Sequence, residues 1–198
     1  MRKGLIVVLA ALVLASCIVH SSLIYFDKDT DGKPNLLDNP SFNAYSLDPG
    51  EALRGWSVHN DPQDPQPGKV AIDANAALTD GTSLRIDASD KAVMVLSDAF
   101  KVRRYGGYYV RISARSSQPE GPQLVLRYIT FRSTGKILNR FKTKLKTTLD
   151  WKKATISAGY LRPGVSFGRV AILIPPFKEG SVWIDDAGCW EVHQFRID

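Results

Sequence analysis

The chain has 198 residues, 44% hydrophobic, 23% charged and 10% aromatic, a globular balance that excludes wholesale disorder and, at this length, two full domains. A formal charge of +6, dispersed along the sequence, lacks the concentrated basic patch that a nucleic-acid partner requires. Two cysteines and three histidines exclude both a disulfide framework and a zinc cage of the usual spacing.

Met1 to Lys3 is basic, Gly4 to Ala15 is an almost unbroken apolar run, and Leu14-Ala15-Ser16-Cys17 follows. A charged start before roughly 7–15 apolar residues has the form of an export signal and falls short of the ~20 residues that span a bilayer. The ending resembles the lipobox of bacterial lipoproteins. That resemblance implies acylation of Cys17 (palmitate among the acyl groups) and cleavage before it. Residues 1–16 are then a signal peptide, 17–34 a lipidated N-terminus and linker, and 35–198 the folded domain. Without Arg2 and Lys3 the balance is 24 basic against 20 acidic residues. Ile18 stands where inner-membrane retention calls for Asp, so the resemblance places the chain at the outer membrane of the cell envelope. An ordinary secretory signal or an uncleaved anchor is the competing reading. With Cys17 lipidated, Cys189 is expected to be a buried, inert thiol.

Asp27-Lys28-Asp29-Thr30-Asp31-Gly32 opens a D-x-D-x-D-G stretch that brings oxygen side chains at Asp27, Asp29, Asp31, Asn35 and Asp38. Calcium takes six to eight hard oxygen ligands, and a glycine at the sixth position permits the sharp turn. Against a calcium loop, Asp38 replaces the usual bidentate Glu and Pro34 interrupts the segment. A solvated acidic linker is the alternative.

From Asn35 onward, short alternating or apolar segments are separated by Gly, Pro, Asn and Asp. The period of two predicts strands at Trp56–His59, Lys69–Asp73, Ser83–Asp87, Ala92–Ser97, Tyr108–Arg115, Gln123–Arg132, Trp151–Ala158, Gly168–Ile174, Ser181–Asp185 and Cys189–Phe195. Asp80-Gly81, Gly106-Gly107 and Glu179-Gly180 supply breakers, and Asn60 to Gly68 reads as a Pro-interrupted loop. No window holds a 3.6-residue period for three turns. The expected fold is all-β, a two-sheet β-sandwich. Phe42, Trp56 and Trp183 are the large apolar bodies expected to close its core, and Trp151 is expected to be core as well.

Asn35-Leu36-Leu37-Asp38-Asn39-Pro40-Ser41-Phe42, Gly55-Trp56, Gly81-Thr82-Ser83-Leu84-Arg85-Ile86 and Gly180-Ser181-Val182-Trp183-Ile184-Asp185-Asp186 together resemble galactose-binding-like jelly-roll domains, especially bacterial carbohydrate-binding modules. The resemblance covers about Asn35 to Val192 and implies a jelly roll. It also implies a structural calcium held by the positions matching Asn43 and Asp185, although Asn43 replaces the common Glu. Its functional implication is a non-catalytic domain that binds polysaccharide, with a structural or protein-interaction envelope lipoprotein as the alternative. Fold alone does not decide between these.

The preferred ligand site is the outward side of two alternating strands, Tyr109, Arg111 and Arg115 on one and Arg127, Ile129 and Phe131 on the other. Aromatic rings stack on sugar C–H faces, and guanidinium forks bind carboxylates bidentately, which suits an acidic polysaccharide. An ordinary sheet surface, with Arg stems covering apolar neighbours, is the competing reading. A second candidate is the loop end, with Trp190 and Tyr45 or Tyr160 as platforms. Gly164-Val165-Ser166-Phe167-Gly168 satisfies G-x-S-x-G, with Asp185 and His193 following in order, but the motif needs a strand–turn–helix context. A β-rich, Pro-broken segment follows Ser166, so no enzyme is expected.

Overall fold

The computed structural model of the chain describes residues 23–43, 53–59 and 70–195. Cys17 and Tyr45 therefore lie outside the described residues, as does Lys69 at the start of one expected strand.

Strands alternate side chains between two faces, so each apolar set demands a partner layer. Among the described residues eleven strands supply both layers: β1 (Trp56–His59), β2 (Val70–Asp73), β3 (Ser83–Ser89), β4 (Val93–Ser97), β5 (Phe100–Lys101), β6 (Gly106–Ser116), β7 (Gln123–Phe131), β8 (Ile137–Lys146), β9 (Lys152–Ala158), β10 (Phe167–Ile174) and β11 (Phe177–Gln194). One sheet runs β1-β4-β10-β7-β8, with β5 on the end of β10; the other runs β2-β3-β11-β6-β9, and every pairing is antiparallel. The all-β sandwich expected from the sequence is the fold observed. The only helix among the described residues is a 3-10 turn at Asp27–Thr30.

The core fills from the inward positions of both sheets. Leu124, Leu126 and Tyr128 of β7 face Ile112, Val110 and Tyr108 of β6, all completely buried. Phe42 and Trp56 meet at 5.1 Å in the same core, and the Trp56 indole N–H donates to the Asn39 carbonyl at 3.0 Å. Cys189 is buried and unbonded, as expected of an inert thiol. Burial pushes its pKa far up.

Three expectations change. Trp183 and Trp151 do not close the core: both are half-buried on the outer side of the β2-β3-β11-β6-β9 sheet, where Arg115 lies 4.7 Å and 5.7 Å from their rings. The two final strands are one, β11, broken in register between Asp185 and Gly188. There Asp186 adopts a positive φ of 51°. The bulge aims the two adjacent carboxylates at different partners. β8 was not expected at all. Its inward positions hold Asn139, Phe141, Thr143 and Leu145, too polar a set to stand out, because an edge strand needs little core.

Tyr128 sits between Phe100, Tyr108 and Phe141 at ring distances of 6.2, 5.8 and 5.9 Å, yet its hydroxyl has no partner among the described residues. A buried hydroxyl without a partner costs roughly 1–3 kcal/mol in desolvation. Tyr128→Phe keeps the rings and removes that cost. It is expected to leave stability unchanged or raise it by about 1 kcal/mol in urea unfolding; a clear loss would reveal a hidden partner.

Candidate functional site

The six outward residues proposed from the sequence do not share a face. β6 and β7 belong to different sheets, so Tyr109, Arg111 and Arg115 lie on one outside of the sandwich and Arg127, Ile129 and Phe131 on the other. Both strands show the expected alternation. What the alternation could not show is that they are stacked across the core instead of paired side by side.

The β7 half has company. Antiparallel register sets Phe131 opposite Phe167, Ile129 opposite Arg169, Arg127 opposite Ala171 and Val125 opposite Leu173 on β10. On the other flank Ile129, Arg127, Val125 and Gln123 stand opposite Arg140, Lys142, Lys144 and Lys146 of β8. Opposed residues share a face, so this outer surface carries an apolar floor bordered by cations. Phe131 and Phe167 stack with centroids 4.9 Å apart and planes only 10° apart, and Lys101 stands opposite Phe167. β4 adds Leu96 and Met94, and β1 adds Ser57 and His59. No Asp or Glu occurs at these positions. None of Lys101, Arg127, Arg140, Lys142, Lys144, Lys146 and Arg169 forms an ion pair among the described residues. β8, the strand the sequence did not reveal, provides four of these cations.

The β6 half is already engaged. Arg111 donates from Nη1 to Asp27 at 2.8 Å and from Nη2 to Asp186 at 2.6 Å, while its guanidinium covers Trp190 at 5.0 Å. Tyr109 donates to the same Asp27 oxygen at 3.1 Å, and Lys153 reaches the other oxygen at 2.9 Å. Burial, then Asp27, pushes the Tyr109 phenol up to about 12. The Tyr25 N–H donates to Ser157 Oγ at 2.9 Å, and its ring lies against Gly107, where any Cβ would strike the Tyr25 hydroxyl. The stretch expected to be part of a linker thus forms a strap across β9 and β6. Arg115 is held between two tryptophans. Of the loop-end candidates, Trp190 is 8% exposed beneath Arg111 and Tyr160 is 50% exposed.

Most members of the two expected calcium sets are engaged by groups of the protein itself. The Asp185 carboxylate accepts the N–H groups of Leu78, Thr79 and Asp186 at 2.8, 2.8 and 2.7 Å and the Thr79 hydroxyl at 3.2 Å. Its lone pairs are directed at donors, which does not fit a metal ligand, and Asn43 binds through its N–H to Asn39 Oδ1. Burial pushes the Asp185 carboxyl up against these donors. In the other set Asp27 faces Arg111 and Lys153, Asp29 accepts the Phe26 N–H, Asn35 accepts the Leu37 and Cys189 N–H groups, and Asp38 pairs with Arg54. No group of three or more His, Cys, Asp or Glu among the described residues converges as a metal site. Ser166 leads directly into β10, without the helix that a nucleophile elbow needs.

The sequence matches no family model and no curated protein. Solved structures share its fold. TmCBM61 in complex with beta-1,4-galactotriose superposes with a TM-score of 0.58 at 17% identity, covering 80% of this chain and 99% of that module. A CBM4 structure gives 0.55 at 12% identity, covering 78% and 98% respectively. The enzymatically active domain of bacteriophage CBA120 tailspike protein 4 gives 0.60 at 11% identity, but the match spans only 21% of that chain. The chain therefore shares its β-sandwich fold with carbohydrate-binding modules and with part of a larger enzymatically active domain.

The strap carries its own pH signature. Hydrogen bonds from Lys153 and then Arg111 lower the Asp27 pKa to about 2 in the docked state. Undocked, the carboxyl returns to about 4. A lowered docked pKa favours docking above pH ~4, and that contribution disappears as pH falls through about 2. The protection of the Tyr25 amide against hydrogen exchange, taken relative to its intrinsic rate at each pH, is expected to fall across this window in the native chain and to be insensitive there in Asp27→Asn. Equal pH response in both would contradict the assignment.

Proposed function

We propose that this chain is a non-catalytic carbohydrate-binding domain that holds an acidic polysaccharide on the outer face of the β1-β4-β10-β7-β8 sheet. One observation carries the reading: a stacked pair of aromatic rings lies within a field of cations that have no carboxylate partners among the described residues. An extended face suits a polymer better than a small molecule, because a strand ladder repeats its side chains every second residue. The Phe131 and Phe167 rings offer apolar surface to sugar C–H groups. Arg127 and Arg169 supply planar forks for carboxylate or sulfate, and the β8 lysines follow as point charges along the edge. Among the fold's relatives, TmCBM61 is a sugar binder by the ligand in its complex, which supports a carbohydrate for this chain.

The envelope setting belongs to the same proposal. A basic start, an apolar run and Leu14-Ala15-Ser16-Cys17 support export and acylation at Cys17, with the domain displayed from the outer membrane.

Affinity electrophoresis in gels containing polygalacturonate, with a neutral glucan as comparison, tests the ligand class. Retardation in the acidic gel should weaken as salt rises, because exposed charges are screened beyond ~10 Å at 0.1 M ionic strength. Phe131→Ala or Arg127→Ala should each weaken binding by about tenfold, equivalent to ~1.4 kcal/mol, with melting unchanged. Unaltered retention in both variants, or retention by the neutral gel alone, would overturn the reading.

A further inference from the structure

The strap has a second side that the sandwich does not use. Tyr25 and Asp27 turn inward, Tyr25 onto Ser157 and Gly107 and Asp27 onto Arg111 and Lys153, while Leu23 lies beside Gly159 and stays 36% exposed. Strand-like alternation then sends Ile24 and Phe26 outward, and they are 65% and 57% exposed. Lys28 reaches back over the Phe26 ring at 5.9 Å. Tyr160, next to the glycine under Leu23, is 50% exposed and packs on Tyr105 and Phe195 at 5.2 and 5.9 Å. Arg104 covers Tyr105 at 5.8 Å. Large exposed apolar residues gathered beside cations need an occupant.

We propose that the outward side of this strap, with Tyr160, rests on the surface of a lipid bilayer. The sequence upstream selects this occupant over a protein. The apolar run Gly4 to Ala15 and the acylation-like Cys17 both lie within a few residues of Leu23. At ~3.5 Å per extended residue, either attachment leaves Leu23 no more than about 30 Å from the membrane. Aliphatic and aromatic side chains flanked by Lys and Arg are the composition that settles at the boundary between headgroups and acyl chains. Such a contact also orients the domain. The strap lies on the β2-β3-β11-β6-β9 sheet, so the cationic face across the sandwich points away from the lipid. The inference rests on the membrane-directed reading of residues 1–17 and is independent of which glycan binds.

The test uses the full-length chain reconstituted into vesicles of phosphatidylethanolamine and phosphatidylglycerol with brominated acyl chains. Ile24→Cys, Tyr160→Cys and Arg127→Cys each carry an environment-sensitive nitrobenzoxadiazole label, and the chain without an added cysteine gives the background. The labels at 24 and 160 should shift to the blue and be quenched by bromine, while the label at 127 should do neither. Adding Ile24→Ser and Phe26→Ser to the Tyr160→Cys chain should abolish its shift while the Tyr25 amide stays protected. A vesicle-bound chain whose label at 24 emits as it does in water would overturn the contact. A chain that does not float with the vesicles would overturn both the contact and the membrane-directed reading. Neither result would alter retention in polygalacturonate gels.

Discussion

The pairing of β7 with β10 is the constraint on which the rest depends. Tyr128 stands opposite Val170 in the core, so Phe131 must stand opposite Phe167 outside it. A slip of one residue would reverse one strand against the other, turning Arg127 into the sandwich and expelling Leu126, or doing the same to Arg169 and Ile172. Burial of an unpaired guanidinium costs several kcal/mol, so the register is strongly enforced. The core thereby decides the composition of the outer surface without touching it.

The two outsides of the sandwich treat their cations in opposite ways. On the β2-β3-β11-β6-β9 side, Arg111 is 16% exposed and shared between Asp27 and Asp186, while Arg115 fills the space between two indoles. Those charges are used up within the molecule. On the other side the cations form no ion pair among the described residues. Mutual repulsion along β8 is tolerated there because the side chains are exposed and screened. An unpaired row of like charges is unfavourable for stability and favourable for capture of an oppositely charged polymer. That asymmetry, more than the fold, separates the proposed binding face from the covered one.

Much of the architecture was legible in the order of residues. Period-two alternation located Tyr108 to Arg115 and Gln123 to Arg132, and the motif ending in Asp185-Asp186 marked the last long strand. Alternation reports which residues share a side of one strand, however, and says nothing about which sheet the strand joins. Six correctly alternating residues therefore read as one surface while they occupy two. β8 escaped because its inward Asn139 and Thr143 carry no hydrophobic signal, although the cations at 140, 142, 144 and 146 repeat every second residue. The acidic run at Asp27 suggested oxygen ligands for a metal. Its nearest partners turn out to be Arg111 and Lys153, more than 80 positions away in sequence, and no local pattern could have named them.

The most direct test of the account is a titration of the isotope-labelled protein with an oligogalacturonate, followed by amide and arginine side-chain chemical shifts. Perturbations should concentrate on β7, β8 and β10, with Arg127, Phe131 and Arg169 among the largest. The Arg111 and Arg115 signals across the sandwich should stay still. Shifts confined to β6, β9 and β11, or none at millimolar ligand, would contradict it.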